Sequence, residues 1–340
     1  MSTERERALG ALAGLALGDA LGMPTQSMSR ARIAACYGRV DRLLDAVAEQ
    51  PVAPLRPAGT ITDDTEQALL LARLLVEGGG RIDPLTFAEA LAAWEDDMAA
   101  RGSADLLGPS TKRAIERLRA GEPPEEAGRD GTTNGAAMRV APVGIAVPVS
   151  EPAALLDAVV EASLVTHGTS TGLAAAAAVA AAVSAGVAGA GLADALDAAE
   201  HAAAAGARRG RWSAGGDVAA RIRWARGFVR TAAGAPLADA ALADAVADVV
   251  GTSLASQESV VAAFALVEAR GDDPFSALTA AAAIGGDTDT IAAICGAVLG
   301  AHHGAAAFPA DLLETVHRVN GLDLGTVVDG LLALRRRARR

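Results

Sequence analysis

Apolar residues return every three or four positions along most of this chain, which is the spacing of one face of an α-helix. The pattern predicts helices over 66–77, 85–94, 152–165, 172–186, 192–204, 216–229, 236–250, 257–269, 274–283, 288–301, 309–319 and 323–334. Clusters of Gly, Pro, Asp and Ser break them apart: "GMPTQS", "RPAGTITDD", "GEPPEEAGRDGTTNG", "GARRGRWSAGGD" and "GTSLASQ". No alternating run is long enough for a sheet, and "AGTITD" offers a short extended piece at most. Helical patterning continues on both sides of every loop. The expectation is a single all-α domain over residues 1–340, a compact multi-helix bundle.

Two stretches imitate membrane signals. "ALGALAGLALGDALG" (8–22) follows a charged start as a signal peptide would, but the preceding charges are mixed and Asp19 interrupts the apolar run. "GLAAAAAVAAAVSAGVAGAG" (172–191) is uncharged over a bilayer's width. It is nearly all Ala and Gly, which favour insertion weakly, so it reads as a buried helix packed closely through small residues.

Composition supports the helical reading. Of 340 residues, 51% are apolar but only 3% aromatic, so the core is built mainly from Ala, Leu and Val. The net charge of −11 argues against a non-specific nucleic-acid binder. The closing "RRRARR" (335–340) reads as a solvated helix end that complements its dipole. Two cysteines, Cys36 and Cys295, lie far apart in no motif, which fits a reducing cytoplasm.

The polar residues that carry chemistry cluster at helix starts. Thr62, Asp63 and Asp64 precede one apolar helix; Asp287, Asp289 and Thr290, in "GGDTDT", precede another. N-capping would account for one Asp or Thr at each start. Two pairs of carboxylates with neighbouring hydroxyls exceed that need, and four facing carboxylates would not all stay ionised without a cation. The donors are all oxygen, which selects Mg²⁺, Mn²⁺ or Ca²⁺ over zinc, and four carboxylates suit two ions. The order of residues excludes an EF-hand and a phosphate-binding P-loop. Two further loops stand out. "TTNGAAMRVAPVGI" (132–145) puts small residues after Asn134 at a helix start, and "SLVTHGTSTG" (163–172) sets His167 among hydroxyls.

Taken in order, "GALAGLALGDALGMP", "TDDTEQALLLA", "TNGAAMRVAPVG", "SLVTHGTSTG" and "AIGGDTDTIAAICGAVLGA" resemble the ADP-ribosylglycohydrolase family over nearly the whole chain, most specifically in the TDD and GGDTDT pair. The resemblance implies an all-α fold with a central cleft and a binuclear Mg²⁺ or Mn²⁺ centre. Its metal ligands would be Thr62, Asp63, Asp64, Asp287, Asp289 and Thr290. Asn134, Gly135, Ala136, Ala137, His167 and Gly286 would line the substrate side. Asp64 or Asp289 would act as base in cleaving an N- or O-glycosidic ribosyl bond. One position departs from the pattern: Gln26 stands where the family usually has Glu, and Gln cannot be a base. Asp105 is the candidate substitute. The spelling of the motifs is closer to a bacterial subgroup, which implies a small ribosylated metabolite or nucleoside, or else an ADP-ribosylated protein, as substrate. The implied enzyme is cytoplasmic, binds neither nucleic acid nor membrane, and is a monomer or small homo-oligomer. The alternatives are a nucleoside hydrolase without need of ADP-ribose, and a protein that holds ADP-ribose without cleaving it.

Overall fold

Thr3 starts the first helix, Glu4–Gly22, with a reciprocal cap: its hydroxyl accepts from Glu6 N while the Glu6 carboxylate accepts from Thr3 N. From there the computed structural model, which describes residues 3–100, 108–231 and 234–339, is helical throughout. Its described residues contain isolated β-bridges and no strand. The "AGTITD" stretch forms a turn and then a short piece outside any strand, which delivers Thr62 in an extended conformation to the next helix, Asp63–Glu77.

The helices expected from periodicity form close to their predicted bounds, with one change. Over 236–250 a short helix, Asp239–Asp244, passes into a π-helical turn, Ala245–Val250, that Gly251 ends at φ +90°. The pattern missed Glu4–Gly22, Arg30–Tyr37 and Pro109–Arg119, and three short helices, Pro124–Ala127, Gly135–Arg139 and Ala141–Ala146. The first of these is buried on almost every side, so it carries no polar stripe for periodicity to find.

That helix is half of the central pair. Gly10, Gly14, Gly18 and Gly22 recur every fourth residue and so share one face. They run antiparallel to Thr288–His303. A Cβ on Gly14 would stand 2.2 Å from Gly296 O, and one on Gly296 would stand 1.9 Å from Gly14 O. Only glycine allows backbones this close. The ladder continues to its end, where a Cβ on Gly22 would stand 2.4 Å from Asp289 Cα. The glycine register therefore sets the C-terminal end of the first helix beside "DTDT".

The Ala-rich helix Ser170–Ala188 crosses the same core against Leu192–Ala207, Ala141–Ala146 and Thr288–His303. Glu4–Thr25 and Ser170–Ala188 are each long and apolar enough to cross a membrane, and 94% of each apolar window is covered by the rest of the fold. One cluster of buried apolar side chains extends from Ala8 to Leu334. Both cysteines are free.

The basic C-terminus is not wholly solvated as expected. Arg335 is fully buried at the C-terminal end of another helix, where its Nη1 donates to the carbonyls of Gly144, Ile145 and Val147. Its Nε donates to Glu4 at 3.1 Å, tying the last helix to the first. Unpaired carbonyls at a helix end need such a donor when buried.

Candidate active site

Three loops meet at the end of the glycine ladder. Gly286 N donates to Met28 O at 2.9 Å and Ser27 N donates to Gly286 O at 2.7 Å, which ties the Gln26 turn to "GGDTDT". Asp287 N donates to Thr252 O, and Asn134 N donates to Leu254 O, which adds the loop before Ser256–Arg270. Gly285 and Gly286 both have positive φ, and a Cβ on Gly286 would stand 2.3 Å from Thr252 O, so the turn requires glycine.

The cleft they form holds about 330 Å³ and is lined by Gln26, Asp63, Asp64, Asp287, Asp289 and Thr290. Thr111, Lys112, Thr133, Asn134 and Gly135 line it too, together with the exposed Leu254. The two helix starts singled out by the sequence are thus brought together. A larger cavity, about 650 Å³ beside Arg56, Arg73 and Trp94, contains none of these carboxylates.

Capping does not explain Asp287. It occupies the N-cap position of its helix, yet its side chain makes no bond to the helix amides. It accepts instead from Asn134 Nδ2, which also donates to Ser259 Oγ at 2.8 Å. At the facing helix the cap is Thr62, whose hydroxyl accepts from Asp64 N. Asp63 and Asp64 are left for the cleft. Thr290 Oγ1 donates to Asp64 Oδ2 at 3.3 Å, a direct link between the two helix starts.

Electrostatics in the cleft oppose full ionisation. Burial first, and repulsion among Asp63, Asp64, Asp287, Asp289 and Asp19 second, push Asp63, Asp64 and Asp289 well above the usual carboxylate range. Asp287 rises to about 6, mainly through burial and held back by the Asn134 hydrogen bond. Asp64 Oδ1 and Asp289 Oδ1 are buried without a hydrogen-bond partner. Among the described residues, no three His, Cys, Asp or Glu side chains close into a ready-made cation cage. An all-oxygen donor set with two unpartnered carboxylate oxygens nonetheless fits a hard divalent cation.

Asp19 is a part of the site that the motif reading missed. It is fully buried and accepts from Thr62 N and Thr65 N, from Thr62 Oγ1 at 2.8 Å, and from Thr65 Oγ1 at 2.5 Å. Burial raises it to about 6 against those hydrogen bonds. It anchors the start of the Asp63 helix from the end of the glycine ladder. The signal was in the sequence: a lone carboxylate in an apolar run is costly unless it is paired.

The remaining expected residues lie as follows. Gln26 is buried at the cleft with its Nε2 unpartnered. His167 is fully buried and does not reach the cleft wall; its Nε2 lies 2.9 Å from Thr133 Oγ1, which does. Ala136 and Ala137 are buried behind Gly135, and Gly286 is spent on the turn. Asp105 lies outside the described residues.

The chain belongs to the ADP-ribosylglycohydrolase family, whose sequence profile matches residues 1–340. It is 36% identical to the uncharacterized protein YegU of Escherichia coli (strain K12) over 97% of either chain. It is 34% identical to the ADP-ribosyl-[dinitrogen reductase] glycohydrolase of Rhodospirillum rubrum, over 48% of this chain and 51% of that one. It is likewise 34% identical to the ADP-ribosylarginine hydrolase Tri1 of Pseudomonas putida (strain GB-1), over 48% and 42%. Among solved structures, an ADP-ribosylglycohydrolase-related protein complex superposes with a TM-score of 0.72 at 28% identity, covering 98% of this chain and 99% of that one. The chain is therefore an all-α hydrolase, and its family supports hydrolysis of ADP-ribosyl linkages.

Proposed function

We propose that this member of the family hydrolyses the N- or O-glycosidic bond of a small ribosylated or ADP-ribosylated substrate in the cleft between the two helix starts. The observation that carries the reading is Asp287, which holds a cap position and turns its carboxylate to the cleft instead. Two Mg²⁺ or Mn²⁺ ions would be held by Asp63, Asp64, Asp287, Asp289 and Thr290, which line the cleft, while the Thr62 hydroxyl is engaged by Asp19 and Asp64 N. When bound, such ions supply Lewis-acid stabilisation and make water more acidic.

The residues of the chain do the rest. Asn134 fixes the Asp287 carboxylate, and Asp19 fixes the Asp63 helix start. Asp64 or Asp289, each with a free buried oxygen, takes a proton from the attacking water as positive charge develops at the anomeric carbon. Gln26 Nε2 offers a donor where the family usually has a base, so it binds substrate rather than moving a proton. That favours a second reading, retention of ADP-ribose with slow turnover.

A screen of ADP-ribosyl-arginine, ADP-ribosyl-serine and a nucleoside panel, with Mg²⁺ and with Mn²⁺, separates these readings. Turnover of one class is expected, with Gln26→Glu changing its rate. ADP-ribose binding without turnover of any member would overturn hydrolysis in favour of retention.

A further inference from the structure

Behind the donor wall of the cleft, a row of polar side chains runs into the core. Thr133 lines the cleft, and its Oγ1 is 2.9 Å from His167 Nε2. His167 Nδ1 is 2.7 Å from Thr166 Oγ1. Arg139 Nη2 donates to that same Thr166 oxygen at 2.5 Å, and its Nη1 donates to Gln67 Oε1 at 2.9 Å. The guanidinium lies over the Phe87 ring at 5.1 Å. Arg139, Thr166 and His167 are fully buried, so their hydrogens must find acceptors inside the protein.

The hydrogens can be assigned one at a time. A guanidinium only donates. Burial lowers Arg139 to about 9, which still leaves it charged at neutral pH. Thr166 Oγ1 therefore accepts from Arg139 and has one hydrogen to give. Its two acceptors are His167 Nδ1 at 2.7 Å and Ser163 O at 3.5 Å, the latter at the limit of a hydrogen bond. An oxygen that accepts from a cation is a stronger donor, and the near acceptor wins. His167 Nδ1 thus accepts. Burial first, then the charges of Arg139 and Arg113, keep the ring neutral. Its single hydrogen sits on Nε2 and goes to Thr133 Oγ1. The Thr133 hydroxyl keeps its own hydrogen, which has no protein acceptor among the described residues.

We propose that Arg139, Thr166 and His167 form a one-way hydrogen-bond relay that fixes the Thr133 hydroxyl as a donor to an oxygen acceptor of the substrate, a ribose hydroxyl or a phosphate oxygen. His167 is then a positioning residue that acts through Thr133. The relay stands on the free protein alone; only the nature of its acceptor rests on the ribosyl reading above.

The test has two readouts on the full chain. Nitrogen-15 NMR of His167, assigned by loss of its signals in His167→Gln, reports the tautomer without any ligand. The expected result is a neutral ring protonated on Nε2, retained in Thr166→Ser and lost to a mixture in Thr166→Val. A ring protonated on Nδ1 in the unaltered protein would overturn the relay, whatever the protein binds. Titration with ADP-ribose should then show about tenfold weaker binding for Thr133→Val and near-unaltered binding for Thr133→Ser. Where the unaltered protein binds ADP-ribose, equal binding by Thr133→Val overturns Thr133 as the donor to the substrate. Adenosine and ADP separate the acceptors: a loss with ADP-ribose, ADP and adenosine assigns the adenosine ribose, a loss with ADP-ribose and ADP assigns the phosphate, and a loss with ADP-ribose alone assigns the terminal ribose. An unaltered protein with the Nε2 tautomer that binds none of the three leaves the relay standing and removes the ribosyl reading.

Discussion

At the scale of single residues, the site is an arrangement of groups that cannot satisfy one another. Asp63, Asp64 and Asp289 are buried together, and two of their oxygens lack any partner. Replacing Asp289 by Asn removes a like charge and a proposed ligand at once. Activity on the substrate found by screening should fall by about 10²-fold or more. The melting temperature in a chelator should stay level or rise, because repulsion is relieved. A full rate in Asp289→Asn would remove this residue from the chemistry. His167 gives a pH prediction. Unfolded, it takes up a proton below about 6.5; folded, burial and two arginines oppose this. The fold binds fewer protons in that range, so it loses stability as pH falls below about 6.5, by up to about 1.4 kcal/mol per pH unit. Between pH 7.5 and 5.5, urea midpoints should drop further for the unaltered protein than for His167→Gln. Parallel drops would show that His167 takes up its proton in the fold.

At the scale of elements, the glycine ladder decides where the carboxylates meet. Its contacts are backbone to backbone, so no rotamer change can absorb a methyl group there. Gly296→Ala should cost about 2 kcal/mol or more in chemical denaturation and lower activity, because the first helix also carries Asp19. Gly227→Ala is the control: nothing lies within 4 Å of its added Cβ, so a change within about 1 kcal/mol is expected. Similar costs at both positions would refute the close-packing account. The pairing was not legible from periodicity, which detects a polar face and finds none on Glu4–Gly22.

At the scale of the whole molecule, the two chain ends are locked to each other and to the core. Arg335 donates to carbonyls at a helix end, to Ser184 and to Glu4, while Arg5 pairs with Asp329. The surface pair adds little, since exposed ion pairs are screened. Removing Arg335 leaves buried carbonyls unpaired. Arg335→Met should therefore cost about 3 kcal/mol by urea denaturation, against about 0.5 kcal/mol or less for the exposed Arg336→Met. Equal effects would return "RRRARR" to the role of a solvated tail.

The sequence by itself determined most of the longer helices, their loops, the two acidic helix starts and the family motifs, because each is local in the chain. Spacing and capping chemistry act within a few residues, and they can be read there. Only the tertiary structure decided that Asp287 faces the cleft and not its own helix, that Asp19 reaches across to Thr62 and Thr65, and that His167 stands behind Thr133. Arg335 was unreadable for the same reason, since five arginines in a row of six look alike until one is buried. These roles depend on which groups lie nearest after folding, and between residues 34 to 191 positions apart only packing sets that distance.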